Sequence, residues 1–336
     1  MSARLPDPIR RSLEAMGFAM AGAPGAVEAL AGGVASDIWR VATARGPVCV
    51  KAARARLKVE QRWEVPVERN AYEVAWLETA AAICPGAVPR VLGHDPAAGF
   101  FVMDYLDPRD HPVWKEQLRD GRAEPATARA VGRALVAIHA ATAGEAAVAA
   151  RFPTDALFHA LRPEPYLIAT AARHPDLAGP LERLAASTLA VKKALIHGDV
   201  SPKNILVGRA GPVFLDAECA CYGDPAFDLA FCLNHLLLKC LWNRPASPRF
   251  LACFDALAGT YLGAVDWEPA GALEARAAAL LPGLLLGRVD GKSPVEYLRG
   301  EAERERVRAV ARPLLARPVE RLAAVREAWA AALRVA

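Results

Sequence analysis

The stretch Ala194–Ala230, ALIHGDVSPKNILVGRAGPVFLDAECACYGDPAFDLA, decides how the rest of the chain is read. An apolar approach, Ala194-Leu195-Ile196, opens onto His197-Gly198-Asp199, and Asn204 follows five residues after the aspartate. That spacing suits phosphoryl transfer. An Asp at the mouth of a loop accepts a proton from an attacking hydroxyl or orients it, while an Asn one short loop later turns its oxygen onto a magnesium ion held against nucleotide phosphates. Asp199 is therefore the candidate base and Asn204 a candidate metal ligand. Ile205-Leu206-Val207, a turn from Gly208 to Pro212, and Val213-Phe214-Leu215 read as a hairpin. Such a hairpin returns Asp216 beside Asn204, so that two oxygen ligands converge on one hard cation.

HGDVSPKN, FLDAE and GDPAFDLA together resemble the aminoglycoside phosphotransferase and 5-methylthioribose kinase group of the protein-kinase-like fold. Either Asp199 or Asn204 alone would read as a turn cap; the joint pattern is specific. The resemblance implies that His197 packs and orients the loop backbone, that Asp228 bonds that backbone, and that Glu218 is a further magnesium ligand. Glu218 also reads as a solvated or salt-bridged glutamate. Lys203, four residues after Asp199, could neutralise charge on the transferring group, and reads more simply as a surface lysine. Asp224 before Pro225 is an N-cap followed by proline at the first helical position. Asp228 then enters an almost wholly apolar helix through Trp242, where an acid needs partners.

Upstream, Asp7 to Ala21 reads as a leading helix. Gly32-Gly33, followed by Ser36, forms a glycine-rich turn between short strands, where backbone N–H groups can approach phosphate; it departs from the protein-kinase GxGxxG pattern, and an ordinary hairpin turn looks much the same. Val48-Cys49-Val50-Lys51 is a buried strand ending in a charge, matching the strand lysine that reaches nucleotide phosphates in kinases. A helix from Pro66 to Cys84 supplies Glu73 as that lysine's acid by resemblance, with Glu68 and Glu64 as substitutes. Val88–Leu92 and Phe100–Tyr105 read as strands. The second resembles the segment linking the lobes of a kinase, which implies adenine contacts from the Asp104 carbonyl and the Leu106 amide.

Asp107-Pro108 marks the boundary between an N-terminal lobe, 1–106, and a C-terminal lobe, 107–336. Beyond it a helix from Pro125 carries Val131, Leu135, Ile138 and Thr142 on one face, with His139 as a core histidine. Residues 152–189 give proline-interrupted helical pieces without an assignable site. Helices follow at 250–265 and 270–281, then a glycine-bounded turn, Gly287 to Pro294, in which Arg288, Asp290 and Lys292 belong either to a surface loop or to the acceptor pocket. The remainder reads as a closing helix pair.

The composition is that of a globular protein with ample core: 336 residues, 54% hydrophobic and 23% charged. A net charge of +4, spread among acids, gives no nucleic-acid footprint. Seven cysteines without a CxxC pair fit reduced cytoplasmic thiols. The N-terminus lacks a signal-peptide apolar run, and the apolar stretch 277–287, broken by Pro282, is short for a bilayer; neither points to a membrane. The expectation is a bilobal α+β kinase-like protein using ATP and Mg2+ to phosphorylate a hydroxyl of a small molecule. The alternative is a nucleotide-binding regulator without turnover. Arg288 and Lys292 tilt the acceptor toward a neutral or anionic metabolite, and no long activation segment points to peptide substrates.

Overall fold

The computed structural model describes residues 4–20, 26–30, 36–54 and 69–334. The chain divides into two compact units, Met1–Pro108 and Arg109–Ala336.

In the first unit, β1 (Val27–Ala29), β2 (Ser36–Thr43), β3 (Gly46–Ala53), β4 (Val91–Asp95) and β5 (Phe100–Asp104) form an antiparallel sheet in the order β1-β2-β3-β5-β4. Helix α1 (Asp7–Ala15) contributes Leu13 and Ile9 to one core, shared with Val48, Val50 and Ala52 of β3. Side chains alternate along a strand, so Lys51 emerges on the opposite face from Val50. There α2 (Arg69–Ile83) packs against β3, β4 and β5. The leading helix is shorter than the expected 7–21: Gly17, at φ 84°, turns the backbone into the left-handed region, and its amide caps Glu14 O. Gly32, Gly33, Glu64 and Glu68 lie outside the described residues.

The second unit is mainly helical. Helices α3 (Trp114–Arg119), α4 (Pro125–Thr142), α5 (Ala146–Arg151) and α6 (Asp155–Leu161) lead to a π-helical turn, Glu164–Ile168, then to α7 (Ala169–Arg173) and α8 (Ala178–Ala190). Two small antiparallel ladders follow. Strand β6 (Ala194–Ile196) pairs with β9 (Cys221–Gly223), and β7 (Ile205–Gly208) pairs with β8 (Gly211–Phe214). The β7–β8 hairpin is the expected one; the β6–β9 pair was not anticipated.

Helix α9 (Pro225–Trp242) is buried along nearly its whole length and packs against α10 (Ser247–Leu262) and α11 (Ala270–Asp290). The closing helices are α12 (Glu301–Ala316) and α13 (Leu322–Arg334). Two expectations need correction here. Helix α11 continues through Pro282 to Asp290, so Arg288 and Asp290 lie on a buried helix and not in a turn. Gly287, which reads as a turn signal, is a close-approach glycine: a Cβ there would meet Tyr166 O at 2.3 Å. Helix α11 is also the one helix among the described residues long and apolar enough to cross a membrane, and 67% of its apolar window is buried within the protein.

Candidate functional site

The catalytic-loop candidate begins where β6 ends. Asp228, one turn into α9, accepts hydrogen bonds from the backbone amides of His197 (2.7 Å) and Gly198 (2.8 Å), and is wholly buried. His139 Nε2 lies 3.3 Å from the same carboxylate, and its Nδ1 lies 2.6 Å from the Tyr261 hydroxyl. A helix acid, a core histidine and a tyrosine thus fix the loop's entry. Gly198 sits at φ 75°, and a Cβ would fall 2.5 Å from Cys219 O, so both conformation and space require glycine there.

His197 serves the same scaffold. Its Nδ1 accepts the Asp199 amide at 3.1 Å while Nε2 lies 3.0 Å from Leu215 O, which fixes the neutral tautomer with the proton on Nε2. Burial lowers its pKa, although Asp228 and Asp199 oppose this.

Asp199 is 4% exposed. Its Oδ2 accepts from Asn204 Nδ2 at 2.8 Å, and faces Arg162 Nη2 at 2.9 Å and Lys203 Nζ at 3.2 Å. Its Oδ1 takes no hydrogen bond from the described residues. Burial pushes the carboxyl pKa up, but the Arg162 and Lys203 charges outweigh it and hold the group below the usual carboxylate range. A carboxylate so held is an acceptor and orienter of a hydroxyl more than a strong base. Lys203, which reads from sequence as a surface residue, is half-exposed and touches Asp199 all the same.

Asn204 is 6% exposed and spends its amide nitrogen on Asp199, both on Oδ2 and on the backbone oxygen at 3.1 Å. Its Oδ1 is then the acceptor left to engage a ligand. The Leu215 amide donates to Asn204 O at 2.8 Å, so the strand returning from the hairpin is stitched to the loop immediately before Asp216. Asp216 is the single non-glycine residue with positive φ among the described residues, at 67°. Glu218, half-buried, lies in the turn that follows.

Among the described residues no group of three or more His, Cys, Asp or Glu could hold a metal ion. The amide oxygen of Asn204 and the carboxylate of Asp216, on either side of the Leu215–Asn204 hydrogen bond, are nonetheless the kind of donors magnesium uses, since it takes one or two protein oxygens and fills its octahedron with phosphate and water.

In the other unit, Lys51 Nζ lies 2.7 Å from Glu73 Oε1, and both side chains are 3% exposed. Glu73 is thus the lysine's acid. Ser36 opens β2, buried, opposite Ala53. Asp104 closes β5; its amide donates to Arg90 O and its carboxylate takes both Arg90 Nε and Nη2. Leu106 follows, half-buried, in a segment without regular structure.

Arg162 was not singled out from the sequence. It lies between α6 and the π-helical turn, donates through Nε to Gly198 O at 2.5 Å, and is 7% exposed. The signal was a lone cation directly after the apolar run Ala160-Leu161, before Pro163. Lys292, grouped with Arg288 in the sequence, pairs instead with Glu164.

A strand lysine held by a helix acid in one unit, and an aspartate–asparagine loop tied to a returning aspartate in the other, define the protein-kinase-like fold. The macrolide 2′-phosphotransferase MphH from Brachybacterium faecium shares it, with a TM-score of 0.54 at 20% identity over 98% of this chain and 99% of that one. So does the amicoumacin kinase hAmiN, with a TM-score of 0.59 at 13% identity over 94% and 96%. The model of the phosphotransferase enzyme family designated APH matches residues 26–273, and the chain belongs to that family. Methylthioribose kinase from Pectobacterium carotovorum is 28% identical over 229 residues, covering 60% of this chain and 55% of that protein. The Yersinia pseudotuberculosis enzyme of the same name is 28% identical over 231 residues, covering 60% and 54%. The chain thus spans just over half the length of these curated relatives.

Proposed function

We propose that the protein transfers the γ-phosphoryl group of ATP to a hydroxyl of a small molecule. The observation that carries this reading is the asymmetry of Asp199, whose Oδ2 is taken by three donors while Oδ1 is left for the acceptor. The family match and the names of the relatives, all kinases or phosphotransferases of small molecules, support it.

In this reading the acceptor oxygen forms a bond to the γ-phosphorus as the bond from that phosphorus to the β,γ-bridging oxygen breaks. The electron pair leaves with ADP, and the hydroxyl proton passes by way of Asp199 Oδ1 to solvent. Because the transition state is loose, orienting the hydroxyl matters more than deprotonating it early, which suits a carboxylate of lowered pKa. Lys51, held by Glu73, binds the nucleotide phosphates, together with Gly32, Gly33 and Ser36. The Asp104 carbonyl and Leu106 amide receive the adenine edge. Asn204 and Asp216, with Glu218 as a further ligand, would hold Mg2+, which when bound supplies charge neutralisation at the phosphates. Lys203 and Arg162 hold Asp199 in place. The seven unpaired thiols fit a reducing compartment, the cytoplasm.

The test is ADP release from magnesium-ATP across small hydroxyl compounds, among them methylthioribose, homoserine, choline and an aminoglycoside, with Asp199→Asn as the control. Release that depends on an acceptor and vanishes in the control supports the reading. Magnesium-dependent ATP binding with no release on any acceptor would favour a nucleotide-gated regulator.

A further inference from the structure

Beside Asp199, wholly within the helical unit, lies a pocket with a marked excess of positive charge. Lys203, in contact with Asp199, forms one side, and Lys115, Lys239 and Arg288 supply the other cations. The single acid lining it among the described residues is Glu296, which is 61% exposed and already paired with Lys115. Lys239 and Arg288 are 1% and 8% exposed. Neither has an ion-pair partner among the described residues. Lys239 Nζ lies 4.6 Å from the ring centres of both Trp242 and Tyr297. Arg288 gives Nη1 to the Tyr166 hydroxyl (3.1 Å) and to Ser293, and lies over the Tyr166 ring.

Three more polar atoms of this pocket are buried without a partner among the described residues: Ser201 Oγ, Arg288 Nε and Tyr297 Oη. Ser201 is fully buried and lies two residues from Asp199. Aromatic faces offset about 0.5–2 kcal/mol of a buried cation's cost, while an uncompensated buried charge costs several kcal/mol. Lys239 can respond by losing its proton. Burial, reinforced by Lys115 and Arg288 against Glu296, brings its pKa down to about 7. Arg288 has no such recourse, since a guanidinium stays charged. Two buried cations and three idle polar atoms around one space are the complement of an oxyanion.

We infer that this pocket takes the oxyanion head group, a carboxylate or phosphate, of the acceptor whose hydroxyl Asp199 orients. The inference rests on the phosphotransferase reading for the word acceptor, and on the pocket alone for the anion. The cavity volume is about 20 Å³, on the scale of one or two waters. It therefore receives the oxygens of a head group and not a sugar ring. A polycationic or quaternary ammonium acceptor meets four cations against one paired acid, and is repelled.

Two readouts separate this inference from the reading beneath it. The first is binding. Tryptophan emission, with Trp242→Phe as the reporter control, is titrated with glycerate, glycerol 3-phosphate, inorganic phosphate, glycerol and choline. The anions are expected to give a saturable change that glycerol and choline do not, and Lys239→Met to weaken it at least about tenfold, a loss of ~1.4 kcal/mol. No saturable anion response, or an equal response in Lys239→Met, overturns the inference. Stronger binding of glycerate or of glycerol 3-phosphate tells carboxylate from phosphate. The second readout is ADP release with the same hydroxyl compounds. Turnover is expected to favour the anionic ones, with the acceptor KM raised at least tenfold in Lys239→Met and the nucleotide KM unmoved. Turnover that favours glycerol or choline overturns the inference and leaves the kinase reading standing. Anion binding with no turnover on any compound keeps the anion site and removes the kinase reading.

Discussion

Arg162 and Asp199 form a buried ion pair, Nη2 to Oδ2 at 2.9 Å, with side-chain exposures of 9% and 6%. The same guanidinium holds the carbonyl of Gly198, so one side chain restrains both the backbone and the carboxylate of the loop. Removing Arg162 takes one of two cations from Asp199 Oδ2 and leaves Lys203 in place, so Arg162→Met is expected to cost about 3 kcal/mol of stability, the low end for breaking a buried pair. Urea unfolding measures it. The double variant with Asp199→Asn should cost clearly less than the sum of the two single changes; strict additivity would mean that the two residues do not act as a pair.

Asp199→Asn keeps the shape of the side chain and an acceptor oxygen for Lys203 or Arg162, but loses the charge that orients a hydroxyl. Turnover is expected to fall about 10²–10⁴-fold with nucleotide affinity nearly unchanged, read by ADP release alongside equilibrium nucleotide binding. A parallel loss of both would make Asp199 a structural residue.

Asp216 occupies the left-handed region at φ 67°, a conformation that costs roughly 1–2 kcal/mol for most L-residues and is free for glycine. Such strain persists where the surroundings demand it, commonly at functional sites. Asp216→Gly is therefore expected to be more stable than Asp216→Ala by about 1 kcal/mol, while both lose magnesium-dependent nucleotide binding. Thermal unfolding without nucleotide and binding with and without magnesium are the two measurements. Retained binding in either variant would take Asp216 out of the metal site.

Much of this was legible because the informative residues are close in sequence. The loop from His197 to Asn204 and the hairpin to Asp216 form a local unit, so spacing alone places them side by side. Lys51 was legible as the charge closing an apolar strand, and Glu73 as its acid through the family resemblance. What escaped was non-local. Arg162, at the end of α6, meets Asp199 from a distant part of the chain, and a lone cation before Pro163 does not say which acid it will reach. Gly287 and Pro282 read as breakers, yet α11 passes through both, since Pro282 lies in a helix packed on several sides and Gly287 lets it approach the backbone at Tyr166. Lys239 could have been found. The rule that asks for partners for Asp228 in an apolar helix applies equally to a lysine near that helix's other end.

Lys239 also gives the protein a pH-dependent stability whose sign can be worked out. Its pKa is about 7 when folded, against 10.5 for the free side chain. Between those values the unfolded chain holds a proton that the folded one does not, so this residue makes stability rise with pH from about 7 to 10.5. Below pH 7 both states are protonated and the full burial penalty stands. The groups around it do not remove it: Lys115 and Arg288 repel the charge, Glu296 attracts it from a largely exposed position, and His235 is held neutral by burial. Lys239→Met is therefore expected to stabilise the protein, by about 1–4 kcal/mol near pH 6.5, with the gain shrinking as the pH approaches 10. Urea unfolding of both proteins at the two pH values, in buffer free of phosphate and carboxylate, measures this. Adding inorganic phosphate at pH 6.5 should then stabilise the wild type and not the variant, because an anion bound only to the folded state with its lysine charged shifts unfolding by mass action. A variant less stable than the wild type at pH 6.5 without anion would mean that Lys239 has its counter-charge within the protein already.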